Sequence, residues 1–314
     1  MSHIRHLFIP VLLVLFSHTV NGQQLHFSKV EKGDSYQFNY QWLDHQQQPQ
    51  TMVFSLEKTS LFNKFRNFKV YKPELAAKYI SRRVVRYFNK NPIDDVRISY
   101  DNQTGNIVAK GTNMGSIKKA ESKVAELNKE YTDAYMKKHW YQTFTTYDQV
   151  HAIKPDHATF ASLSAEDMKP LKPLILEKVS IKNIRQATDY VLAFVQSIPY
   201  SPLESRVDSS GAGFNPPLKL LWENQGDCDS KVTLTAAILR TLMPRIKMVL
   251  VFIDNHALIG IDALAKGDET TITVDGTSYL LGEPTGPASL ALGRLDEASE
   301  LAISQGLYTA EIFH

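Results

Sequence analysis

The spacing of apolar and polar residues divides the chain into short strands and a few long helices. Ser35 to Trp42 alternates, with Tyr36, Phe38, Tyr40 and Trp42 on one face, which predicts a half-buried strand; Thr51 to Leu56 returns beside it as a hairpin. Glu74 to Phe88 carries Leu75, Tyr79, Val84 or Val85 and Phe88 near one helical stripe and stops at Asn91-Pro92. Val96 to Tyr100 and Asn106 to Lys110 flank a Gly-containing turn as a second hairpin. Ser116 to Lys138 recurs at three or four residues (Ile117, Ala120, Val124, Leu127, Tyr131, Tyr135) and predicts a long charged helix whose Lys/Glu face meets solvent.

Lys154 to Lys172, with Pro155 and Pro170, predicts a connection and a domain boundary near Phe160. Ser180 to Ile198 predicts an amphipathic helix with Ser180 as its N-cap, and Asp208 to Pro217 an irregular loop. Lys231 to Leu242 continues a helix that opens at Cys228 and closes at Pro244. Met248 to Ile253 is almost wholly apolar and of strand length, as a buried strand requires. Ala257 to Ile261, Thr270 to Val274 and Ser278 to Leu281 follow as three more strands, with Glu283-Pro284 ending the last. The expected class is α+β: a signal segment over 1–22, an N-terminal α+β domain over 23–160 and a second domain over 161–314.

Composition narrows the partners. A net charge of +2, without a basic face carrying interleaved aromatics, argues against nucleic acid. Arg5 precedes the ten apolar residues Leu7 to Phe16, and small residues stand around Val20-Asn21-Gly22. That is the grammar of a secretory signal peptide cleaved after Gly22, and a run broken by Pro10 is far short of the ~20 residues that span a bilayer. The expected mature protein is exported, periplasmic or secreted, with no membrane span. Asn102-Gln103-Thr104 matches a glycosylation sequon.

Export bears on the chemistry. Cys228 is the only cysteine, so it can form no disulfide within the chain, and an odd cysteine in an oxidising compartment is an intermolecular partner or a functional thiol. It stands at the first turn of a helix, where orphan N–H groups and the positive dipole end lower a thiol pKa. His256 opens a strand and Glu283 closes one. Thiol chemistry needs those types: a nucleophile, a base that takes its proton, and an acid that fixes the base's tautomer.

Phe214-Asn215-Pro216-Pro217, Gln225-Gly226-Asp227-Cys228-Asp229-Ser230-Lys231, Asn255-His256-Ala257-Leu258 and Tyr279-Leu280-Leu281-Gly282-Glu283-Pro284-Thr285 together resemble the transglutaminase-like cysteine-enzyme domain of the papain-like superfamily, in its exported bacterial form. The likeness covers Lys172 to Gly293, under half of the chain. It implies a helix carrying Cys228 packed on an antiparallel sheet carrying His256 and the acid. It also implies Cys228 as nucleophile, His256 as base and Glu283 where the family usually has aspartate, with Asp275 as the alternative acid. An oxyanion hole would combine the Cys228 N–H with a donor from Gln225 or Trp222. The implied activity is cleavage or transfer at an amide bond through a thioester, with hydrolysis favoured over cross-linking and a protein or peptide, cell-wall peptide included, as substrate. A different class, a catalytically silent binding or scaffold module of the cell envelope, stands as the alternative, and residues 23 to about 150 could serve as an inhibitory prodomain. No cofactor is expected. No metal is expected either, because the histidines do not fall at ligand spacings and no calcium loop is present.

Overall fold

A computed structural model describes residues 23–101, 104–204 and 213–313. The expected signal peptide, part of the sequon and most of the loop before Phe214 lie outside the described residues.

The chain opens with an antiparallel meander of β1 (Gln24–Lys32), β2 (Ser35–Leu43) and β3 (Pro49–Glu57). The alternation of β2 and β3 puts Phe38, Tyr40, Trp42, Met52, Phe54 and Leu56 on one buried face. α1 (Lys58–Asn63) leads into α2 (Pro73–Lys90), the hairpin β4 (Val96–Tyr100) and β5 (Ile107–Gly111), and α3 (Met114–Lys138). These last four elements close a small core of their own around Val84, Phe88, Ile98, Ala120 and Leu127.

A second hairpin, β6 (Tyr141–Thr145) and β7 (His151–Pro155), runs into α4 (His157–Ser164) and α5 (Leu171–Leu176). The stretch expected as a plain connection is thus largely helical. Pro155 ends β7, while Pro170 caps α5 and Pro173 lies in its first turn, where the missing N–H costs nothing. α6 (Ile184–Ser197) begins at Asn183 rather than Ser180, because the Asn183 side chain accepts from the Gln186 N–H at 3.1 Å.

α7 (Pro217–Glu223) and α8 (Cys228–Leu242) follow, then β8 (Met248–Ile253), β9 (His256–Ile261), β10 (Thr271–Val274), β11 (Thr277–Gly282), α9 (Glu297–Ser304) and β12 (Thr309–Phe313). The last five strands form one antiparallel sheet in the order β10-β11-β9-β8-β12. Both faces are covered, which explains the continuous apolar run of β8. Met248 and Leu250 turn toward the core that holds α8, while Val249 and Val251 turn to Leu295 and Ile303 around α9.

α8 is buried nearly all round, with Val232, Leu234, Ala236, Ala237, Ile238 and Leu239 inaccessible. Such a helix is a central pillar, not an amphipathic surface element. Its core continues across residue 160 into the first sheet, where Trp42 meets Phe194 at 5.2 Å between ring centroids and the Tyr40 hydroxyl donates to the Leu221 carbonyl at 3.0 Å. Helices and strands are mixed throughout the described residues, and no described helix is long and apolar enough to cross a membrane.

Candidate active site

Cys228 is the first residue of α8, behind the N-cap Asp227. The Asp227 side chain accepts from the Ser230 N–H at 3.0 Å and from the Ser230 hydroxyl, which locks the first turn. Gly226 is required just before it: a Cβ there would come within 2.7 Å of Leu220 Cδ1 and within 3.2 Å of Ser230 Cβ. The thiol is 9 % exposed at the floor of a cleft of about 490 Å³.

The opposite wall is the tight turn between β8 and β9. Asn255 adopts a left-handed φ of 57°, a conformation asparagine tolerates, and the turn brings its carbonyl to 3.8 Å from Cys228 Sγ. His256 comes next and lines the same cleft. On its far side His256 Nε2 lies 2.6 Å from Glu283 Oε1. A carboxylate only accepts, so Nε2 carries the proton and Nδ1 is left as the basic ring nitrogen.

Glu283 is 5 % exposed, and its other oxygen accepts from the Asp296 N–H at 3.0 Å, just ahead of α9. Sheet register explains why this acid reaches the histidine. Gly282 pairs with Ile259, so the chain leaving β11 emerges beside the start of β9. Asp275 lies in the turn at the other end of β11, beyond six strand residues or about 20 Å at ~3.3 Å each, and is out of reach of His256.

The two residues expected to supply an oxyanion donor are placed differently. The Trp222 ring packs against Tyr36 at 4.7 Å and lies under the Lys29 ammonium at 3.6 Å, on the side of the first sheet and away from the cleft. Gln225 sits in the turn before α8, its carbonyl accepting from Asn215 Nδ2 at 3.4 Å, and is not among the residues that line the cleft. Sγ donates to Asp229 Oδ1 and to the Asn255 carbonyl, each at 3.8 Å, and the backbone N–H groups of Cys228 and Asp229 act on it from the start of α8. Tyr200 also lines the cleft, and burial holds its phenol protonated to higher pH, with the charge of Cys228 adding to the effect.

No family model, curated protein or solved structure matches the chain. The site has to be read from its own geometry.

That geometry includes an unexpected electrostatic setting. Burial pushes the Cys228 thiol well above its ordinary range; the carboxyls of Asp229 and then Asp227 push it further, and the two N–H groups oppose them. The direction is the opposite of the one expected from the helix start. Asp227 is itself pushed up to about 7, by burial first and then by Asp229. Asp229 is raised by burial, with Lys154 acting against it.

Lys154 lines the cleft too, held between Glu311 at 2.5 Å and His157 Nδ1 at 3.3 Å, and lies 4.1 Å from the Phe252 ring centroid. His157 is wholly buried, and burial keeps it neutral, its Nε2 lying 3.4 Å from Asp229 Oδ2. None of these supporting residues was singled out from sequence, because a lone Lys or His in a hairpin or short helix carries no motif. Asp296 did leave a signal, the cap pattern Asp296-Glu297-Ala298-Ser299.

Among the described residues one group, His256, Glu283 and Asp296, brings potential metal ligands within 4.8 Å of one another. Hydrogen bonds already account for it. Glu283 is held by His256 and the Asp296 N–H, and Asp296 accepts from Ala298 N at 2.8 Å, Ser299 N at 3.1 Å and Ser299 Oγ at 2.6 Å.

Proposed function

We propose that this protein is an exported, cysteine-dependent enzyme acting on amide bonds, of the transglutaminase-like kind that its motifs resemble. The observation that carries the reading is the Glu283–His256 hydrogen bond behind a cleft that Cys228 and His256 both line: it leaves the histidine's other ring nitrogen unprotonated in the cleft that holds the chain's sole thiol. A peptide carbonyl enters the cleft over Sγ. His256 Nδ1 takes the thiol proton as sulfur attacks the carbonyl carbon, and Glu283 steadies the imidazolium so formed. The negative charge that develops on the carbonyl oxygen is met by the N–H groups at the start of α8. Collapse breaks the C–N bond, the leaving amine takes the proton from His256, and a thioester remains on Cys228. Water then completes hydrolysis, or an amine completes transfer.

The raised thiol pKa fits a nucleophile that stays protonated until the proton-transfer step, so reactivity should depend on His256 rather than on a standing thiolate. The same observation is what favours the second reading, a binding module without catalysis, and one experiment separates them. Alkylation of Cys228 by iodoacetamide between pH 5 and 8 is expected to slow by about 10²-fold in His256→Ala, the scale of general-base assistance. Equal rates in wild type and variant overturn the enzyme reading. Hydrolysis is the favoured outcome and a peptide the favoured substrate; cell-wall peptide fits the export expected from residues 1–22.

A further inference from the structure

Glu283 is held through its backbone as well as its carboxylate. The stretch from Glu283 to Leu290 leaves the sheet and crosses the end of α6, where Gln196 is 2 % exposed. Gln196 Nε2 lies 2.8 Å from the Glu283 carbonyl and 2.8 Å from the Leu290 carbonyl, so one amide group ties down both ends of this stretch. Carbonyl oxygens only accept, which fixes the orientation of the amide: its NH2 faces the loop and its Oε1 faces the other way. There Oε1 lies 2.9 Å from His45 Nε2, in the turn between β2 and β3, so His45 carries its proton on that nitrogen. Within the same loop, a Cβ on Gly286 would stand 2.3 Å from the Gln196 backbone carbonyl, so helix and loop are in direct backbone contact as well.

We propose that Gln196 is a positioning residue for the catalytic acid, and that His45 of the first sheet orients it, making the N-terminal meander part of the machinery that sets the His256 tautomer. The proposal rests on the reading of Cys228, His256 and Glu283 given above. Its logic is a chain of single-choice hydrogen bonds: His45 donates to Gln196, Gln196 donates to the Glu283 main chain, and the Glu283 side chain accepts from His256. A Gln196→Met substitution keeps the length and burial of the side chain while removing both donors and the acceptor. The loop would then be free to shift, and misplacement by about 1 Å costs up to ~10²-fold in a reaction that depends on orientation.

The test uses the full chain and two readouts. In nitrogen-15 NMR, His256 of the wild type is expected as the Nε2–H tautomer with a downfield imidazole proton. Gln196→Met is expected to mix the tautomers and to slow iodoacetamide alkylation at pH 7 about tenfold, with no further loss when it is added to Glu283→Gln. An unchanged imidazole signal in a folded Gln196→Met, or losses that multiply in the double variant, overturns the proposal. If Gln196→Met does not fold, His45→Ala decides: a smaller change of the same signal supports the clamp, and an unaltered signal overturns it. The two readings fail separately. A changed tautomer with alkylation indifferent to His256 leaves the clamp standing and removes the enzyme; dependence on His256 with the tautomer unmoved by Gln196 does the reverse.

Discussion

At the first turn of α8 the helix dipole and two carboxylates pull the Cys228 thiol in opposite directions. A helix N-terminus favours an anion by about 0.3–1 kcal/mol, whereas taking a charge out of water costs several. Burial therefore wins, and Asp227 and Asp229 add to it. The sequence placed the one cysteine at the start of a helix, but the sign of its pKa shift depends on how much protein surrounds the sulfur. Asp227 gives a measurable consequence. Its folded pKa of about 7 is above the ordinary 3.8, so its contribution to stability is full below about pH 3.8 and is lost as pH rises through 7. Asp227→Asn is expected to flatten that decline in thermal melts between pH 4 and 8. It is also expected to raise the alkylation rate of Cys228 at pH 8, since one of the charges opposing the thiolate is gone. For the acid, Glu283→Gln keeps the shape and an acceptor for the histidine but removes the charge that steadies its protonated form. Alkylation at pH 7 should fall by about 10²-fold, without a comparable loss in melting temperature.

Among the elements, those with a strong period were the ones legible from sequence. α2, α3, α6, α8 and the strands β2, β3, β4, β5, β8, β9, β10 and β11 were expected within a few residues of where they lie. β1, β6, β7, α1, α4, α5, α7, α9 and β12 were not, because most are short and half-exposed and carry too few residues for a period to show. β12 exists as a strand because it pairs with β8, a contact that no local pattern announces. The loop after β11 belongs to this scale too. Gly286→Ala forces a methyl against the backbone of α6, and the clash is expected to cost about 1–3 kcal/mol by denaturant unfolding. It should also lower alkylation of Cys228, because the displaced loop carries Glu283.

For the whole molecule, the N-terminal sheet and the pillar helix lie in one apolar core. Tyr40 and Trp42 pack edge-on against α6 while Phe38 and Tyr40 reach α7, so the meander supports the helices around the site as well as reaching it through His45. Trp42→Ala leaves a large cavity there and is expected to cost about 3–5 kcal/mol. Its thermal melt should stay a single transition, in which near-ultraviolet dichroism and accessibility of Cys228 change together. Separate transitions for the two would show that the sheet folds independently. The α2–α3 and β4–β5 unit has its own core, and substitutions there are expected to leave Cys228 reactivity unchanged.

Residue types and the elements that carry them were readable from the chain: a thiol at a helix start, a histidine at a strand start, a glutamate at a strand end. Those follow from local chemistry, because caps, periods and turns are written in neighbouring residues. Which carboxylate reaches His256 was set by the folded chain alone, since the pairing of Gly282 with Ile259 is a matter of sheet register between distant segments. Only it removed Trp222 from the cleft, because the first sheet claims that ring. It also raised the pKa of the thiol that the helix start alone would have lowered. Burial and register are properties of the assembled chain, and they fix how Cys228, the one cysteine in the sequence, is surrounded.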